Sequence, residues 1–191
     1  MTKIGIIIGS TRPGRNGKAV ADWVYDRAVQ RDDAEFELVD LRDFPLPHYD
    51  EEGSPARSTF DADHAVAWTN KVAEFDGFVF VTPEYNHSTS GVLKNALDYV
   101  YTEWNNKAAA FVSYGGAGGA RAVEHLRLVA SELEMATVRN QVALSLMTDF
   151  ENFSRLAPAP YQLSQLDAAL DQVVAWSAAL APLRQPVDVA A

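Results

Sequence analysis

Cysteine is absent from the 191-residue chain, which removes disulfide scaffolds, thiolate metal sites, iron–sulfur clusters and cysteine nucleophiles together. Histidine is nearly as scarce, and His48, His64, His87 and His125 stand apart with no spacing that would gather a metal. Basic charge is short as well. The 16 Lys and Arg face 26 Asp and Glu, a net of −10, and the phosphate backbones of DNA or RNA need a basic face. The same excess disfavours anionic lipid, although one local basic cluster can still hold a single phosphate. Apolar runs are too short to cross a bilayer, and no small-residue cleavage site follows the amino-terminal run Ile4 to Ile8. The expectation is a soluble, cytoplasmic protein with no nucleic acid and no membrane among its partners. Internal repeats and low-complexity segments are missing too.

What is present is apolar. Hydrophobic residues make up 48% of the chain, enough for a sizeable core and too many for a disordered chain. With domains commonly of roughly 100–150 residues, the length favours one. The reading is a single domain over residues 1–183 and a carboxyl-terminal tail over 184–191.

Hydrophobic patterning gives five strands. Ile4 to Ile8 and Gly77 to Thr82 are continuous apolar runs, as expected of strands buried on both faces. Phe36 to Asp40, Ala108 to Ser113 and Val142 to Leu146 complete the set. Between them lie helical patterns: from about Asn16 (Val20, Trp23, Val24, Ala28), Ala62 to Phe75 (Val66, Thr69, Val72, Ala73), Val92 to Tyr101, Ala122 to Glu134, and Leu163 to Leu180. Asp43 to Ser58, with three prolines, reads as a long loop of the kind that is often functional or mobile. Phe150 to Tyr161 reads as loop.

Strands alternating with helices imply parallel pairing and right-handed crossovers, hence an α/β fold: a doubly wound open sheet of five parallel strands with helices on both faces. Such sheets bind ligands beyond the carboxyl ends of their strands. Chemistry is therefore expected after Ile8, after Thr82 and after Ser113.

The first of these loops, Gly9 to Gly17, holds Ser10 and Thr11 hydroxyls and the Arg12 and Arg15 guanidiniums at the start of a helix, a natural monophosphate site. It is not a P-loop, since Arg15-Asn16 follow Gly14, and no register supplies Gly-x-Gly-x-x-Gly. Asp40, at the end of the second strand, is placed for a ribose contact. The second loop, Thr82 to Gly91, offers Tyr85 as a stacking face and Asn86 as an amide, suited to a planar ring rich in heteroatoms. The third, Ser113 to Ala120, has glycines that let main chain lie against a flat ligand. A hydrolase is disfavoured because no Gly-x-Ser-x-Gly elbow exists.

Three stretches carry a resemblance: Gly9-Ser10-Thr11-Arg12; Pro83 to Ser88 followed by Gly91 to Tyr99; and Ser113 to Gly116 with Gly119-Ala120-Arg121. Together they resemble the NADPH-dependent FMN reductase family, over roughly Lys3 to Leu146. That resemblance implies a flavodoxin-like fold, FMN as cofactor, NADPH or NADH as electron donor, and a small-molecule acceptor such as a quinone, free flavin, azo compound or metal oxyanion. It implies that Ser10, Arg12 and the backbone of Asn16 and Gly17 hold the FMN phosphate. Pro83, Glu84, Tyr85 and Asn86 would line the ring and ribityl chain, and Ser113, Tyr114, Gly115 and Gly116 would cover the other edge. Where many relatives have Ser-x-Asn this chain has Arg15-Asn16-Gly17, and Ser90 stands where relatives often have proline. The resemblance further implies a homodimer or homotetramer. Among the aromatics Tyr99, Tyr101 and Trp104, which either offer a contact surface or pack into the chain's own core, Trp104 is the candidate for a subunit contact or a wall near the ring. Donor and acceptor sharing one site would give ping-pong kinetics, with the chemistry in the cofactor and no side chain assigned as acid or base. A flavodoxin-type electron carrier and a slowly turning-over flavin-binding regulator are the alternatives.

Overall fold

The computed structural model describes residues 1–58 and 60–185. Its centre is a parallel five-stranded sheet formed by β1 (Thr2–Ile8), β2 (Ala34–Asp40), β3 (Gly77–Pro83), β4 (Ala108–Gly115) and β5 (Ala136–Ser145). The strands lie in the order β2-β1-β3-β4-β5, all pairs parallel. This is the flavodoxin-like order, and it reverses between β1 and β3. Five helices surround the sheet: α1 (Gly17–Ala28), α2 (Asp63–Ala73), α3 (Gly91–Asp98), α4 (Ala120–Glu132) and α5 (Pro160–Leu180).

Side-chain alternation along the strands divides the core into two unlike layers. Ile4, Ile6 and Ile8 with Val79, Val81 and Val112 face α1 and α5 and meet aliphatic partners such as Val20, Val24, Leu166 and Leu170. Ile7, Phe78, Phe80 and Phe111 face α2, α3 and α4 in a layer holding Trp68, Phe75 and Trp104. Trp104 is fully buried. Its indole N–H donates to the Leu97 carbonyl at 3.2 Å and its ring lies 4.8 Å from Phe78. Of the two readings open for it, a contact or wall residue and a core residue, the structure gives the second: Trp104 is core.

Other departures have local causes. The buried stripe of α2 is Ala65, Trp68 and Val72, whereas Val66 is exposed; the large Trp68 sets which face turns inward, with its N–H on the Ala96 carbonyl. The long loop from Asp43 is tied down, since Tyr49 N–H donates to Asn95 Oδ1, Asn95 Nδ2 donates to the Pro47 carbonyl, and Phe44 packs on Trp68 at 5.0 Å. Part of the expected loop after β5 is a hairpin, β6 (Phe150–Glu151) with β7 (Arg155–Leu156), and α5 begins at Pro160, a residue suited to the first helical position. Arg184, the first residue of the expected tail, is docked on Asp76 and on the Asn106 carbonyl. Residues 186–191 of that tail lie outside the described residues. Among the described residues no helix is long and apolar enough to cross a membrane.

Candidate functional site

Parallel strands aim every carboxyl end in one direction, so the loops after β1, β3 and β4 meet above one edge of the sheet. Between them lies a cleft of about 200 Å³ lined by Arg12, Arg15, Asn16, Pro83, Glu84, Tyr85, Tyr114, Gly115 and Leu146. All but Leu146 were expected from the sequence. A larger groove of about 510 Å³ runs beside it, between α3 and the loop at Phe44 to His48, and Thr11 lines that groove rather than the cleft.

The cleft collects polar atoms that the protein itself does not satisfy. Tyr114 Oη and Arg15 Nε are buried without hydrogen-bond partners among the described residues. Orphaned buried groups are rare in native proteins, so a cluster of them marks a place where a ligand completes the set. Burial, with the Tyr85 hydroxyl nearby, outweighs the opposite pull of the neighbouring Ser10 hydroxyl and the Arg12 and Arg15 cations and holds the Tyr114 phenol above its ordinary range, so it stays neutral. Gly17 is what lets that phenol sit there: a Cβ at Gly17 would lie 2.7 Å from Tyr114 Oη. Ser10 is buried, and its Oγ lies 3.1 Å from Tyr85 Oη, a long hydrogen bond in which either hydroxyl can donate. Arg12 makes no ion pair among the described residues and lies over the Tyr85 ring at 5.9 Å. The first N–H groups of α1 lack intrahelical partners, as at any helix start, and Asn16, just before them, lines the cleft.

The other expected residues contribute in different ways. Asn16 donates its side-chain amide to the Phe153 carbonyl at the hairpin tip, 2.8 Å away, which leaves its backbone for a ligand. Glu84, expected along the ring, has a side chain only 5% exposed and paired with Arg121; the Arg121 Nε donates to Oε1 at 2.6 Å and the Arg121 backbone N–H to Oε2 at 3.2 Å. Its carboxylate thus joins the second loop to the first turn of α4. Asn86 and His87 are exposed and carry φ of 48° and 76° in a tight turn closed by Tyr85 and Ser88. Ser113 differs from expectation: it is fully buried in β4 between β3 and β5, its hydroxyl donates to the Gly118 carbonyl at 2.7 Å, and it does not line the cleft. Gly115 sits against Glu84, whereas Gly116 is exposed with open space where a side chain would be.

The sequence assigns no role at the site to three contributors, although Ser90 stands out there as a departure from relatives. Ser90 is buried at the start of α3, accepts from Leu93 N–H and donates to the Gly9 carbonyl, tying the first loop to the second. Leu146 closes the cleft from the end of β5. Arg42 fastens the first loop from outside, with Nε on the Thr11 carbonyl at 3.1 Å and Nη2 on the Arg12 carbonyl at 2.8 Å. Only Ser90 had a legible signal, a hydroxyl just before a helical pattern.

The strand order and its reversal between β1 and β3 define a flavodoxin-like protein, and the residues present at that point fit the phosphate and polar rim of a flavin mononucleotide. The NADPH-dependent FMN reductase sequence profile matches residues 2–149. The chain belongs to that family and is an NAD(P)H-dependent, FMN-using oxidoreductase. It is 42% identical over 149 residues to an NAD(P)H-dependent FMN reductase of Schizosaccharomyces pombe, covering 77% of this chain and 74% of the relative. It is 35% identical over 143 residues to a 2-hydroxy-1,4-benzoquinone reductase of a Burkholderia species, covering 70% and 72%. Among solved structures, the flavoenzyme NAD(P)H:(acceptor) oxidoreductase FerB of Paracoccus denitrificans shares the fold, with a TM-score of 0.70 at 21% identity over 94% of this chain and 98% of that one.

Proposed function

We propose that this oxidoreductase reduces small quinone-type acceptors, with nicotinamide donor and acceptor occupying one position in turn. The observation that carries the reading is the pair of buried, unpartnered donors, Arg15 Nε and Tyr114 Oη, in a cleft shared with Arg12 and the start of α1. FMN bound there would supply hydride transfer. The chain's residues would bind and orient it. Ser10, Arg12, Arg15 and the backbone at Asn16 and Gly17 would hold the phosphate, and Tyr85 with the backbone of Pro83, Glu84 and Asn86 would hold the ring. Backbone at Gly115 and Gly116 would meet its polar edge, where fixed dipoles favour negative charge without reorganising. Asn86, His87 and Gly116 are exposed, which would leave access for planar molecules of more than one kind. The quinone choice draws support from the benzoquinone reductase relative. A homodimer or homotetramer belongs to the same reading and rests on the family resemblance.

Initial-rate kinetics test the shared position. NADPH varied at several fixed concentrations of 1,4-benzoquinone should give parallel double-reciprocal lines, with each substrate competing against the other at high concentration. Intersecting lines without such competition would refute it.

A further inference from the structure

Asp40 is out of place in a phosphate site. It ends β2 beside the first loop, and a carboxylate close to a phosphate dianion repels it. Its surroundings give it a different task. Arg15 Nη1 donates to Asp40 Oδ1 at 2.7 Å and Nη2 donates to Oδ2, while Nη1 also reaches the Ser10 carbonyl. The Arg42 backbone N–H donates to Oδ1 at 3.0 Å. Burial alone would raise the Asp40 carboxyl, but these bonds outweigh it and hold the group below the usual carboxylate range, so it is ionised at neutral pH.

The pair is two-pronged, so it fixes the guanidinium plane as well as its position. Arg15 is 5% exposed on its side chain, and its Nε, the donor that Asp40 does not use, is buried with no partner. We infer that Asp40 is a positioning residue: it clamps the far edge of Arg15 so that Nε is presented to the FMN phosphate before the ligand arrives. This rests on the phosphate site proposed above. An arginine already held in one plane loses no further rotamer freedom on binding, so the clamp raises affinity although its charge opposes the ligand.

The two effects of removing the carboxylate have opposite signs, which makes the inference decidable. Asp40→Asn keeps the shape and removes the charge. If Asp40 acted only as a nearby charge, FMN would bind this variant more tightly. Positioning predicts about a tenfold loss of FMN affinity. Riboflavin, which lacks the phosphate, reports the rest of the site. Fluorescence titration of the apoprotein with both ligands should show FMN weakened and riboflavin changed less than about twofold. Arg15→Lys, which keeps the cation but has no second prong and no Nε, should lose FMN affinity to a similar degree, also sparing riboflavin; it serves should Asp40→Asn not fold. Unchanged or tighter FMN binding in a folded Asp40→Asn protein overturns the inference, as does equal loss of both ligands, or Arg15→Lys binding FMN as the parent does. A parent protein that prefers riboflavin or shows no gain from the phosphate overturns the phosphate-site reading itself, and the clamp with it.

Discussion

The two ends of the central sheet treat polar atoms in opposite ways. At the amino end the charges neutralise one another: Lys3 and Lys71 both bridge Glu37 and Glu74, and Arg184 pairs with Asp76, which also accepts from Lys3 N–H. At the carboxyl end, Arg15 Nε and Tyr114 Oη are buried and unpartnered, and Arg12 stands without an ion pair among the described residues. Two groups depart from this at the amino end: Ser177, whose hydroxyl lies unpartnered against Gly77, and Lys107, which is buried with no carboxylate partner among the described residues. The contrast teaches where stability and ligand binding part company. One end closes the protein's own electrostatics, and the other holds donors in reserve at a cost in folding energy that a ligand can offset.

Breaking the carboxyl end at its tightest point should have the largest effect. Gly119 has φ of 75°, and a Cβ there would lie 2.6 Å from Ser113 Cβ and 2.9 Å from the Tyr114 nitrogen. Gly119→Val should combine backbone strain with overpacking, a loss of about 4 kcal/mol, and displace the third loop. Urea midpoints check the first effect and FMN titration the second; a midpoint close to the parent's would show that the loop has slack.

The amino end can be sharpened through Lys107, the lysine there with no carboxylate partner. Lys3, Lys18, Lys71 and Lys94 each form a salt bridge, whereas Lys107 is buried, donates to the Val72 carbonyl at 2.9 Å and lies over the Phe78 ring. Burial, helped by the nearby Arg184 cation, pushes its amine down to about 8. A folded value below the unfolded one means that the unfolded chain binds more protons between the two. The contribution of this group to stability should therefore rise as pH goes from about 8 to about 10.5, by at most about 3 kcal/mol, while buried tyrosines such as Tyr114 pull the other way as pH nears 10. Urea unfolding at pH 7.5 and 10 should show the parent gaining stability relative to Lys107→Met. A Lys107→Met protein with the same pH dependence as the parent would contradict the burial argument.

How much of this could be read beforehand depends on whether a feature is local. β3 and β4 were legible because central parallel strands are apolar on both faces, and the three loops because glycine, hydroxyls and arginine sit together in the chain. The early part of β5 was not, since Arg139, Asn140 and Gln141 on an edge strand carry no apolar period. The hairpin turn at Asn152-Phe153, with φ of 50° and 59°, lacks the glycine that marks such turns. Arg15 was legible as a cation near a phosphate loop and Asp40 as an acid ending a strand. Their pairing was not, because it joins residues 25 apart, and only the register of β2 on β1 brings them together. Ionic contacts of this kind belong to topology, not to pattern.

The smallest effect is the most specific, because stability and binding should move in opposite directions. Tyr114→Phe keeps the ring, which packs near Phe150 at 6.3 Å, and removes only the hydroxyl. In the empty protein that oxygen has given up water for nothing, so its loss should stabilise the apoprotein by about 1 kcal/mol. With FMN bound the same hydroxyl would be a donor to the ligand, so affinity should fall by about the same free energy, roughly fivefold to tenfold. Thermal melting without ligand and titration with FMN measure the two halves separately. A variant less stable when empty would mean that the phenol is already satisfied inside the fold. In that event the carboxyl end would hold fewer donors in reserve, and the contrast between the two ends of the sheet would rest on Arg15 and Arg12.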